Sequence, residues 1–156
     1  MTVQAITNFI TVTNRDGQVQ HRYQNGKVGA HITLERRRFN YLSFIYRGAT
    51  RNRTGDNIQA ELILAPNAVA MAVVREAVAN RWFVNVRTCT MNPSSLSVGR
   101  TLTSDIWVAT TFNYDADKLS VVLSSGIDAV GASAPTLSLT SRLVGALPST
   151  GQIQNR

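Results

Sequence analysis

Arg36, Arg37 and Arg38 are consecutive, and Arg47, Arg51 and Arg53 follow before residue 54. These guanidinium groups are the densest set of chemistry-bearing side chains in the sequence. A guanidinium keeps its charge at any physiological pH and presents a planar fork of donors that matches a carboxylate or a phosphate. The chemistry on offer is therefore recognition of an anionic partner. Geometry limits it, because successive side chains on a β-strand point to opposite faces. Three adjacent arginines form one patch only on a loop or at a sheet edge. The competing reading of the run is a solvated turn between two strands. Charge distribution favours contact: residues 1–55 hold nine Lys/Arg and two Asp/Glu, whereas residues 56–156 hold seven of each, so the whole formal charge of +7 lies in the first third. Such a field attracts an acidic partner, either nucleic acid or an acidic protein face. Arg36, Arg37, Arg38, Arg47, Arg51 and Arg53 are the candidate partner-binding residues.

No other constellation completes a reactive site. His21 and His31 flank Asn25-Gly26 and could begin a metal site, but no nearby cysteine or suitably spaced acid finishes one. They read as a surface pair, and neither metal nor cofactor is expected. Asp115 and Asp117, in the run NYDADK, read as a turn between strands. Cys89 is the single cysteine, which excludes an internal disulfide, and its alternating surroundings VNVRTC place it on a strand as a buried, inert thiol. Tyr41 and Tyr46 could stack on bases beside the basic loop 48–57, yet they lie in an apolar run that reads as core. The serine-hydrolase, zinc-protease, P-loop and dinucleotide patterns are all missing, as are common nucleic-acid-binding signatures. The expectation is a binding or assembly protein and not an enzyme.

The elements that must carry these residues are mostly strands. At 156 residues, with 44% hydrophobic and 16% charged side chains, the chain suits one domain with a real core, here 1–150, and a flexible tail at 151–156. Its surface is then largely Ser, Thr and Asn, which desolvate more cheaply than charges and suit packing against neighbours. No run reaches the roughly 18 apolar residues of a membrane span. No basic segment followed by an apolar one marks a secretory signal, so an intracellular product without membrane association is expected. Ala5–Thr13, residues 19–23 and residues 28–34 alternate as a three-stranded meander, turned by Asn14-Arg15-Asp16-Gly17 and by a two-residue Asn25-Gly26 hairpin. Further strands are expected at Phe39–Arg47, 58–64, Trp82–Cys89, Asp105–Phe112, Lys118–Leu123 and Thr136–Val144, with Met91–Arg100 as a loop. One helix begins at Pro66 and runs to Asn80, its apolar stripe formed by Ala68, Val69, Met71, Ala72, Val73, Ala77 and Val78. The fold class is mainly β, a barrel or sandwich of about eight strands with one packed α-helix.

The stretches GATRNRTGDNIQAELILAPNAVA, WFVNVRTCTMNP and LSSGIDAVGASAPTLSLTSRLVGALP, covering roughly residues 40–150, resemble the tail-tip or hub-adaptor proteins of tailed bacteriophages, of the minor tail protein L type. The shared outline is strand, short helix, strand, an Asp near a strand end (Asp128), then a Pro-containing segment and a last strand. The resemblance implies a β-domain in a homo-oligomeric ring at the distal end of the tail tube, contacting neighbouring tail or baseplate proteins in the virion after assembly in the host cytoplasm, with DNA possible in the lumen. The chain is short for that family and lacks the C-terminal cysteines that hold an iron–sulfur cluster in some members, so no such site is implied. Two alternatives suit the same composition: a capsid decoration protein, and a sequence-tolerant nucleic-acid-binding module.

Overall fold

The computed structural model describes residues 4–50 and 59–126. Over these the chain is mainly β with a single helix, as the alternation indicates. The strands are β1 (Ala5–Thr13), β2 (Val19–Gln24), β3 (Ile32–Leu34), β4 (Arg37–Tyr41), β5 (Phe44–Thr50), β6 (Gln59–Leu64), β7 (Phe83–Met91), β8 (Val98–Tyr114) and β9 (Leu119–Ser124), with helix α1 (Ala68–Ala79) between β6 and β7. They form one sheet in the order β3-β4-β2-β1-β7-β8-β9-β6-β5. The sheet is open, which corrects the expected barrel or sandwich, and the described strands number nine rather than about eight. The expected strand at Thr136–Val144 and the tail at 151–156 lie outside the described residues.

The openness coexists with strong curvature. β4 and β5 are joined by only Leu42 and Ser43, yet stand second and last in the strand order. That joint spans at most about 11 Å, whereas seven strand spacings across a flat sheet would separate the two by about 34 Å. The sheet therefore curls until its ends approach, without a ladder between them. Leu42 N–H donates to Gln24 C=O at 3.0 Å, and the Asn25 amide spans the gap: its Oδ1 accepts from Asn8 N–H at 2.8 Å and its Nδ2 donates to Phe44 C=O at 3.1 Å.

The concave face holds the main core. Ile10 and Val12 of β1, Phe44 of β5, Leu62 and Leu64 of β6, Trp107 of β8 and Leu119 and Leu123 of β9 converge there on Ala70, Val74 and Ala77 of α1. Asn67 caps the helix through a 2.7 Å bond from Ala70 N–H to its Oδ1, so α1 starts at Ala68, and Pro66 precedes the cap instead of opening the first turn. Tyr46 of β5 reaches past β6 and β9 to β8, where its hydroxyl donates to Asp105 Oδ2 at 3.2 Å and accepts from Trp107 Nε1 at 2.9 Å. Burial, and then the neighbouring Asp105 charge, push the Tyr46 phenol up to about 12.

A second core lies on the convex face. The β3–β4 hairpin folds over β1 and β7, so that Ile32, Leu34 and Phe39 cover Phe9, Cys89 and Met91, with Phe39 meeting Phe9 edge-on at 5.2 Å. Cys89 is fully buried here.

This hairpin replaces the expected Asn25-Gly26 turn. β2 pairs in parallel with β4, through Tyr23↔Asn40 and Gln24↔Tyr41, and β3 pairs with β4. The segment after β2 is shaped by a side chain. Gln24 is fully buried; its Oε1 accepts from Gly26 N–H (2.6 Å) and Lys27 N–H (3.0 Å), and its Nε2 donates to Lys27 C=O and Ala30 C=O, both at 2.9 Å. Every hydrogen-bonding position of the amide is used. Gly26 is required by close approach, since a Cβ there would lie 2.5 Å from Thr7 Oγ1.

Two predictions follow from these contacts. Gln24→Leu leaves the loop groups without partners and loosens the β3–β4 cover, at a cost of about 2–3 kcal/mol in urea unfolding. Ionisation of the Tyr46 phenol is disfavoured by folding, so its contribution to stability is complete below pH 10 and is lost as pH rises toward about 12. In thermal melts across that window, Tyr46→Phe should show a shallower decline than the parent chain.

Candidate partner-binding surfaces

The arginine run occupies the turn and second strand of the β3–β4 hairpin. Leu34 pairs with Arg37, which leaves Glu35 and Arg36 as a two-residue turn with φ of 51° and 61°. Turns of this hand match strand twist but require left-handed backbone, which is why Asn-Gly is the usual choice. Here two residues with full side chains adopt it. Glu35 is held by an ion pair from Arg87 Nη1 of β7 at 2.9 Å. Arg36 is exposed at the tip.

Arg37 and Arg38 then alternate as strand geometry dictates. Arg37 stands beside Leu34, on the side of the hairpin that carries Phe39 toward the convex core, and Arg38 stands opposite, beside Thr33. The three arginines therefore spread over a tip and two faces and do not make one patch. Arg47 lies on β5, at the other end of the strand order, in an exposed pair with Glu61 Oε2 at 3.2 Å. Arg51 and Arg53 lie outside the described residues.

What the structure does bring together is Arg38 with residues of β2. His21, Arg22, Tyr23, Arg38 and Asn40 line a groove of about 220 Å3 where β2 and β4 run side by side. The His21 and Tyr23 rings stack with centroids 5.9 Å apart and planes 14° apart, and His21 lies 6.5 Å from the Trp82 ring. Arg38 Nη2 contacts His31 Nδ1 at 2.9 Å. His31 is thus tied to an arginine, and no cluster able to hold a metal occurs among the described residues. Arg22 Nε is buried without a hydrogen-bond partner. No carboxylate lines the groove. The alternation of His21 and Tyr23 was visible in the sequence; their parallel neighbour was not, because nothing local to β2 specifies β4 beside it.

Asp115 and Asp117 form the β8–β9 turn, closed by Asp115 N–H to Lys118 C=O at 2.9 Å, as a turn reading requires. Tyr41 ends β4, and Tyr46 belongs to the concave core cluster described above.

A second surface is the convex face of β5, β6, β9 and β8. Cross-strand register places Ile45, Ile63, Ser120 and Asn113 in one row and Arg47, Glu61, Val122 and Thr111 in the next. Ile45 is 61% exposed, and Ile106, farther along β8 on the same face, is 65% exposed. Whereas the β3–β4 hairpin covers the β1–β7 half, no described element covers this half. No protein-family model matches the chain, and no curated protein matches it.

Proposed function

We propose that this chain is a non-enzymatic structural subunit of a multi-copy assembly. The observation that supports the reading is the convex half-sheet that no described element covers, where exposed Ile45 and Ile106 share a face with exposed Thr111 and Asn113 and the Arg47–Glu61 pair. A sheet face of this kind gains when a neighbour covers it, and neutral polar groups cost less to desolvate than charges. Among the described residues β5 forms a ladder with β6 alone, so beyond the Asn25 contact to Phe44 its outer edge offers backbone donors and acceptors to a neighbouring copy.

The finer assignment, a ring of a tailed-phage virion joining the tail tube to the tip hub or baseplate, draws its support from the resemblance over residues 40–150 together with these surfaces. In that role the domain acts as a rigid spacer. One surface meets its own ring and another, basic surface meets the next layer. A capsid decoration protein is the second reading, favoured by the same neutral face.

Quantitative mass spectrometry of nuclease-treated, gradient-purified particles separates these. Copies in the range of one small ring per particle support the tail reading, a count comparable with the major capsid protein supports decoration, and absence from clean particles removes both. For the surface itself, the double variant Ile45→Lys, Ile106→Lys should keep the parent's circular dichroism and melting temperature, because both side chains are already solvent-facing. It should fail to enter particles or self-associate. Normal incorporation of that variant would sink the assignment of this face.

A further inference from the structure

We infer that the β2–β4 groove and the β3–β4 tip bind single-stranded nucleic acid through its phosphates, with a base seated beside the His21–Tyr23 pair. Three observations carry this. First, the charge asymmetry of the sequence becomes one in space. Arg22, Arg36, Arg37 and Arg38 all belong to the β3-β4-β2 end of the sheet, where the one hairpin carboxylate, Glu35, is already engaged by Arg87. The remaining acid of that region, Asp16, is in the β1–β2 turn. The guanidinium charges are therefore not neutralised by facing carboxylates.

Second, Arg36 occupies left-handed backbone at φ 61° with no intramolecular partner among the described residues. Glycine or asparagine would sit there with less strain. An exposed, unpaired arginine at a hairpin tip leaves its guanidinium free for a contact outside the chain.

Third, the groove has the composition of a strand-binding site and not merely of a positive patch. Arg38 and Asn40 share the His21–Tyr23 face by the parallel register, so a guanidinium for a phosphate, an amide and the half-buried His21 ring meet there, whereas Arg22 alternates to the opposite face. An acidic protein face would use the arginines but has no need of the rings. At about 220 Å3 the groove has room for one base-sized group. The inference concerns a different surface from the convex half-sheet; it assigns to nucleic acid the basic surface that the ring reading gives to the next layer, and competition by polyglutamate separates the two.

The test uses the full chain and a fluorescein-labelled oligothymidylate, with fluorescence polarisation read across a salt series. The parent should bind with an affinity that falls linearly on a log–log salt plot, and Arg36→Gly and Arg38→Ala should each reduce the slope by about 0.7, the value for one phosphate on a single strand. Arg36→Gly should also raise the melting temperature by relieving the backbone, so weaker binding by that variant cannot be ascribed to unfolding. His21→Ala should weaken binding several-fold while leaving the slope unchanged, provided its melting temperature matches the parent. Parent binding that does not respond to salt overturns the proposal. So do unchanged slopes in both arginine variants, which would place any binding on other basic residues. Equal competition by polyglutamate at matched charge also overturns it, in favour of an acidic protein partner.

Discussion

Two residues, Leu42 and Ser43, set the shape of this molecule. They join the second strand of the sheet order to the last, and a chain that short cannot cross a flat nine-stranded sheet. Curvature is thus imposed by connectivity, and the rest is accommodation to it. The concave face becomes deep enough to take a helix, which packs there through Ala70, Val74 and Ala77. Tyr46 comes within reach of Trp107 and Asp105 on a strand three places away. The convex face is stretched outward, and among the described residues the β3–β4 hairpin, with Leu96 and Val98 beside it, covers part of it.

The seam where the ends meet is closed by side chains in place of a ladder. Asn25 stands in for a strand, accepting from β1 and donating to β5, while Gln24 organises the following loop from beneath. Both are neutral amides, each providing donor and acceptor in one planar group. That dual capacity is what an irregular junction needs, since its backbone groups face one another in no repeating pattern. A charged side chain could serve only one half of these roles and would be costly to bury.

Much of the architecture was legible in local pattern. The alternation in Ala5–Thr13, Val19–Gln24 and Gln59–Leu64 locates β1, β2 and β6, and the Asn14–Gly17 turn forms with Gly17 at φ 84°. The helix was placed within two residues. The misses share a cause, which is that partners distant in sequence overrode a local signal. Asn25-Gly26 has the form of a hairpin turn, but Gln24 captures the following loop and Thr7 explains the glycine by proximity. The continuous apolar run Phe39–Tyr46 conceals a break, because both β4 and β5 bury residues there and the joint itself includes buried Leu42. β8 begins at Val98 and not near Asp105, since its first half is largely solvent-exposed and rich in Gly, Thr and Ser, a composition that reads as loop. For the candidate site, the arginines were conspicuous, and strand alternation correctly warned that they could not make one patch. Their neighbours in the groove were invisible, because they depend on a parallel pairing of only two residue positions.

The strand order also governs how the chain reaches this state. β1 lies between β2, its immediate successor, and β7, which begins seventy residues after β1 ends, at Phe83 against Thr13. β6 likewise waits for β9. Hairpins β1–β2, β5–β6 and β7–β8–β9 close over short loops, but the two joins that unite them close over long ones. Contacts of that separation place folding in the slow regime of non-local β topologies, on the order of milliseconds to seconds. During synthesis β1 must therefore keep one edge unpaired until β7 has emerged. The residues of the basic groove, on β2 and β4, are synthesised before β7, whose Cys89 and Met91 seat the β3–β4 hairpin, so the groove is completed only once β7 is in place.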